Sequence, residues 1–112
     1  MLAKKQKVPK ELIIPVMKSG CFLRSPHFIF NILGSKNLKV SRFLVIINKK
    51  TEKTAVARNR SKRLVYEVLR GILPEVKTTN EIILSIKKRV IDLSIAEISL
   101  EIKDIFKKNG LI

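Results

Sequence analysis

The chain has 112 residues, 46% of them hydrophobic, and its 24 Lys and Arg against 9 Asp and Glu give a formal net charge of +15. That length and apolar content suffice for one domain with one core, so disorder is excluded as the default. No apolar run reaches the ~20 residues of a membrane span, no apolar h-region follows the basic start as it would in a secretory signal, and the single cysteine, Cys21, excludes an internal disulfide and a cysteine-based zinc site. A cytoplasmic chain is expected. Self-repulsion at this charge is best explained by a polyanionic partner, nucleic acid first and an anionic membrane surface second.

Residues 1–10 read as a basic arm with Lys4, Lys5, Lys7 and Lys10, and Pro9 as a candidate first helical residue. Glu11 to Ser19 is an apolar-rich helical segment with Gly20 as its stop. Pro15 inside it means that the helix either kinks or begins near that residue. From His27 to Leu33 the pattern alternates, with Phe28, Phe30 and Ile32 on one face of a strand and Ile29, Asn31 and Leu33 on the other. Gly34 to Asn37 reads as a turn. The apolar run Phe43 to Asn48 suggests a buried central strand, with a further short strand open either before it or within the N-terminal part of 38–48.

Ala57 to Ile72 is the clearest element. At about 100° per residue, Arg58, Asn59, Arg60, Lys62, Arg63, Tyr66, Glu67 and Arg70 form an outward polar face, and Ala57, Ser61, Leu64, Val65, Val68, Leu69 and Ile72 an inward one. Gly71 and Pro74 are its stop signals. Glu81 to Ile86 reads as another strand, followed by Lys87-Lys88-Arg89. Ser94 and Glu97 match a capping box, and Ile95, Ile98, Ile102, Ile105 and Phe106 follow at helical spacing until Gly110. Helices mixed with strands in this order suggest an α+β sandwich, its helices packed on one sheet.

Catalytic chemistry is poorly supplied. His27 is the one histidine and reads as a structural or surface residue, the acids are scattered, and there is no Gly-rich phosphate loop. The basic constellation is different. Lys49 and Lys50 leave a strand, Lys53 follows, and Arg58-Asn59-Arg60-Ser61-Lys62-Arg63 opens a helix. Arg grips phosphate with a planar fork and stays charged, and Asn59 can both donate and accept. Four cations in the first turns oppose the helix dipole, a cost that bound phosphates would offset.

Lys49-Lys50 followed by Ala55-Val56-Ala57-Arg58-Asn59-Arg60-Ser61-Lys62-Arg63-Leu64 resembles the signature of the bacterial ribonuclease P protein subunit, and the order of the other elements is similar over nearly the whole chain. The resemblance implies a single domain over 1–112 of αβββαβα order, with helices on a mainly four-stranded sheet and a left-handed βαβ crossover, against the usual hand. It implies an RNA-binding subunit of a ribonucleoprotein endonuclease that removes the 5′ leader from precursor tRNA. The RNA would hydrolyse with its own Mg²⁺, and the protein would supply no catalytic residue and no metal ligand. Its partners would be the catalytic RNA and precursor tRNA, with no membrane, and the protein would be monomeric apart from RNA. Lys49, Lys50, Arg58, Asn59, Arg60, Lys62 and Arg63 would bind RNA. Ile13, Met17, Ile29, Asn31, Lys62 and Tyr66 would line the leader cleft. The family often has aromatics where this chain has Ile13 and Met17, and Tyr66 would supply one stacking surface if it points into the cleft. The alternative is a general RNA-binding or ribosome-associated module.

Overall fold

The structure, a computed structural model, describes residues 8–34, 41–76 and 79–112. Its elements are α1 (Ile13–Ser19), β1 (Cys21–Arg24), β2 (Phe28–Gly34), β3 (Arg42–Ile47), α2 (Ala55–Ile72), β4 (Asn80–Ile86) and α3 (Ile95–Lys108), with 3₁₀ turns at Lys10–Leu12 and Leu73–Glu75. The four strands form one sheet in the order β1-β2-β4-β3. β1 and β2, and β2 and β4, pair antiparallel, while β3 and β4 pair parallel. The unit β3-α2-β4 therefore joins two adjacent parallel strands across a helix. The α+β architecture is the one expected, with three strands before the long helix.

Period-two burial sorts the sheet residues onto two faces. Phe28, Phe30, Ile32, Phe43, Val45, Ile82, Leu84 and Ile86 pack in one core cluster with Val65, Val68, Leu69 and Ile72 of α2 and Ile98, Ile102 and Phe106 of α3. Phe30 meets Phe106 edge-on at 5.6 Å between centroids. Most of the apolar face of α2 is thus taken up by the core. Leu64, expected inside, is only partly buried, whereas Leu69 is fully buried. Leu69→Ala is therefore expected to cost about 2–5 kcal/mol, and Leu64→Ala clearly less. Urea midpoints of the two variants check the order.

α1 packs on the opposite face, against β2 and β4. Pro15 lies in its first turn, where the missing N–H costs no hydrogen bond, so the helix begins near Pro15 and is not kinked by it. Pro9 precedes the 3₁₀ turn instead of opening a helix. Gly20 ends α1 in extended backbone. Glycine is required there by close approach, since a Cβ would lie 2.5 Å from the Val16 carbonyl oxygen and 2.8 Å from that of Ile32.

Several expectations are corrected. The run Phe43 to Ile47 forms an edge strand, and β4 takes the inner position. An edge strand can be this apolar because α2 covers one of its faces, and its free edge is partly occupied. The Val45 amide donates to the Tyr66 hydroxyl at 3.1 Å, and the Val8 amide donates to the Phe43 carbonyl at 3.2 Å. Tyr66 is consequently buried, not on the outward face of α2. α2 starts at Ala55, two residues earlier than the periodicity suggests, because the Thr54 hydroxyl accepts the Ala57 amide at 3.1 Å as an N-cap. It runs through Gly71 to Ile72. A strand not read from the sequence, Cys21–Arg24, lies ahead of β2, and residues 38–40, within the range open to a further short strand, lie outside the described residues. Residues 1–7 of the arm and 35–37 of the turn lie outside the described residues.

Candidate nucleic-acid interface

The C-terminal ends of β1, β3 and β4 and the start of β2 lie at one end of the sheet, as the strand registers require. The β3–α2 connection leaves from that end, so α2 begins there too. Arg24, Lys49, Lys50, Lys87 and Lys88 are consequently gathered around it, all exposed. Arg60, Lys62 and Arg63 extend the basic surface along α2. Among the described residues, none of these eight cations is in an ion pair. The ion-paired cations are Arg42 with Glu81, Arg70 with Glu67, Lys103 with Glu75, Lys108 with Asp104 and, at this same end of the sheet, Arg89 with Glu52. At this end the acids thus neutralise Arg89 and leave these eight cations without an ion pair among the described residues.

The loop that launches α2 is braced. The Arg58 guanidinium donates to the carbonyls of Glu52 and Lys53, at 3.0 Å each. Glu52 is itself buried and accepts from Arg89 at 3.1 Å, and its charge raises the Arg89 pKa, chiefly through that hydrogen bond. Arg58 therefore shapes the loop carrying Lys49, Lys50 and Lys53, while Arg60 and Arg63 face solvent. Asn59 is exposed, and Ser61 is buried with its hydroxyl donating to the Ala57 carbonyl at 2.8 Å. Four cations at a helix start thus divide into one internal brace and three outward charges.

The six residues expected in a cleft fall into two groups. Ile29 and Asn31 lie on the sheet face that α1 covers, with Ile13 and Met17 on α1 itself. The row Phe22, Asn31, Ile83, Leu44 runs across that face, and the neighbouring row Arg24, Ile29, Ser85, Ile46 beside it. Asn31 and Ile83 are buried, whereas Ile29, Ser85 and Ile46 are half-buried. The open row leads to a cavity of about 630 Å³ lined by Arg24, Ser25, Pro26, Ile29, Lys87 and Lys88. Lys62 and Tyr66 instead line a second cavity, with Leu44, Val45, Asn59 and Arg63, on the free edge of β3. Leu44 belongs to both surfaces and joins them around that edge. Tyr66 offers its hydroxyl there, its ring being buried. The exposed apolar groups on the α1 side are Met17 and Ile14 on the helix and Phe22 on β1, where the Arg24 guanidinium stacks 5.6 Å from the Phe22 centroid. Phe22, Arg24, Lys87 and Lys88 were not in the expected site. The Lys87-Lys88 pair was a visible signal, but the position of β1 was needed to unite it with Arg24.

The hairpin that carries Arg24 is tied to α3 by one carboxylate. Glu101 accepts from the Ser25 hydroxyl at 2.5 Å, the His27 amide at 2.8 Å and His27 Nδ1 at 2.7 Å. His27 thereby ties the hairpin to α3, the structural one of the two readings open in the sequence. Burial pushes the Glu101 carboxyl up, but the hydrogen bonds from Ser25 and His27 together bring it below its ordinary value of 4.5. A carboxyl that titrates lower folded than unfolded adds stability above the unfolded value, and that stability is lost as pH falls through the folded value. Glu101→Gln is expected to cost roughly 1–3 kcal/mol at neutral pH. Its urea midpoint should converge with that of the parent chain as the pH is lowered past the carboxyl range, and parallel curves throughout would remove the tie as a source of acid sensitivity.

Among the described residues, no group of three or more His, Cys, Asp or Glu is placed to hold a metal ion, and no helix is long and apolar enough to cross a membrane. What the surface offers is unpaired cations beside shallow apolar grooves, a combination suited to holding phosphates and bases.

Comparison with known proteins agrees. Among curated proteins, the ribonuclease P protein component of Synechocystis sp. strain PCC 6803 is 25% identical over 97 residues, covering 87% of this chain and 78% of that one. The component from Microcystis aeruginosa is 36% identical over 72 residues, covering 64% and 60%. Among solved structures, a mutant RNase P protein of Staphylococcus aureus superposes with a TM-score of 0.84 at 19% identity, covering 97% of this chain and 92% of that one. The RNase P protein of Thermotoga maritima gives 0.79 at 17% identity, covering 91% and 96%. These likenesses establish the same fold, and the family model for ribonuclease P matches residues 5–110, so that the chain with this basic helix and this sheet belongs to the ribonuclease P protein family.

Proposed function

We propose that the chain is the protein subunit of a ribonuclease P ribonucleoprotein, which binds the catalytic RNA and the single-stranded 5′ leader of precursor tRNA. The carrying observation is the basic end of the sheet, where Arg24, Lys49, Lys50, Lys87 and Lys88 meet the outward cations of α2 and none of them is in an ion pair among the described residues. On this reading Arg60, Arg63, Lys49 and Lys50 contact the catalytic RNA, and Arg58 holds their loop in shape. The leader runs over the sheet face beside α1, past Met17, Ile13, Ile29 and Asn31 toward Arg24 and Lys87. Lys62, Asn59 and the Tyr66 hydroxyl serve the β3 edge of the same path.

Hydrolysis belongs to the RNA with its Mg²⁺, and the protein's part is to position and to neutralise phosphate charge. The test is precursor-tRNA cleavage by a bacterial ribonuclease P RNA at low Mg²⁺, with and without the protein. Cleavage at the mature 5′ end that requires both components supports the reading. Cleavage by the protein alone would refute the division of labour. Tight RNA binding with no cleavage, including with the cognate RNA, would favour a general RNA-binding module.

A further inference from the structure

Along α2, Arg60, Arg63, Leu64 and Glu67 stand at i, i+3, i+4 and i+7, one continuous stripe about 10 Å long. Ile95, the first residue of α3, faces that stripe, and the five side chains enclose a groove of about 320 Å³. Ile95 is not used by the core. It is 49% exposed, unlike Ile98, Ile102 and Phe106 on the same helix. Its position is fixed all the same, because Ser94 and Glu97 form a full capping box around it. At one end of the groove, Arg60 and Arg63 are free of ion pairs among the described residues. At the other, Glu67 is held by Arg70 at 2.6 Å.

We propose that this groove is a nucleotide-binding slot that takes an unpaired base of the catalytic RNA. The proposal rests on the reading of the chain as that RNA's partner. The groove's polarity sets the ligand's orientation. Its phosphates lie at the Arg60 and Arg63 end, where guanidinium forks match phosphate oxygens. The flat face of the base lies on Leu64 and Ile95. The Glu67 carboxylate, an acceptor only, then meets the exocyclic amine of adenine or cytosine, and it disfavours the carbonyl that uracil presents at the same place. A purely electrostatic contact would have no use for an exposed isoleucine between two arginines and a glutamate.

The experiment is a methyl-resolved NMR titration of the full chain with AMP, UMP and ribose 5-phosphate, following the Ile95 and Leu64 methyl groups. Ring-current shifts with AMP, weaker binding by UMP, and little effect of ribose 5-phosphate are expected. Equal shifts with ribose 5-phosphate would reduce the groove to a phosphate site, and unmoved methyls with all three would overturn the proposal. In parallel, Ile95→Ser should weaken binding of the ribonuclease P RNA roughly five- to ten-fold, the scale of removing one stacked base, while the melting temperature and the salt slope stay unchanged. Unaltered affinity of that variant also overturns the slot. Failure of the parent chain to bind the RNA would instead strike the functional reading, and the mononucleotide titration would still decide the groove.

Discussion

Arg42→Ala is expected to destabilise the fold by about 3–5 kcal/mol, the scale of a buried ion pair broken from one side. Glu81 sits on inner strand β4 directly beside Arg42 of β3, and it is 2% exposed. Both the Nε and an Nη of Arg42 donate to the same oxygen, Glu81 Oε1, the former at 2.6 Å, while Oε2 is buried with no hydrogen-bond partner among the described residues. Removing the guanidinium strands a carboxylate that already lacks half of its partners. Its desolvation cost is then uncompensated. The double variant Arg42→Met with Glu81→Leu separates this cause from lost packing. It should recover most of the stability, since exchanging a whole buried pair for apolar groups is often neutral or favourable. Guanidinium unfolding of the three chains decides between them. A single variant within about 1 kcal/mol of the parent would mean that water reaches Glu81 and that the pair is superficial.

The elements with one strong local cause were legible in the sequence. α2 and α3 are amphipathic over several turns, α3 carries a capping box, and β2 alternates, so Phe28, Phe30, Leu69, Ile98, Ile102 and Phe106 fall in the core as their spacing predicts. Pairing was not legible. β3 reads as an inner strand because its residues are apolar on both faces, yet it is the edge, and what protects it is a tyrosine hydroxyl and an N-terminal amide from distant parts of the chain. The same fact moves Tyr66 inward, since its place on the helical wheel carries no information about a hydroxyl that needs the Val45 amide. β1 escaped because its four residues are mostly exposed and show no buried alternation. For the site, the basic helix was visible as charge and motif. The distinct role of Arg58 was not, since Arg58 and Arg60 differ in what they reach, Arg58 turning back onto the loop before it. Arg24 became part of the surface only once β1 had paired with β2.

Arg60→Gln with Arg63→Gln is expected to weaken binding to the ribonuclease P RNA by one to two orders of magnitude, about ten-fold for each guanidinium withdrawn from a phosphate. It should also flatten the dependence of log K on log salt by about two, roughly one for each phosphate no longer neutralised. These two residues are better probes than Arg58, whose removal would also release the carbonyls of Glu52 and Lys53 and so confound charge with loop shape. Arg70→Gln is the matched control, for it lies on the same helix, removes the same kind of charge and is paired with Glu67. If the unpaired end of α2 is the interface, the control keeps nearly the parent slope while the double variant does not. Equal slopes for all three chains would show that none of these guanidiniums neutralises a phosphate. That outcome would remove α2 from the contact surface even if reconstituted cleavage succeeded. Weaker affinity with an unchanged slope would point to interactions with bases, not phosphates, because only neutralised phosphates release counterions. Affinity and salt slope measured together on the three chains therefore locate the interface, which affinity alone would not.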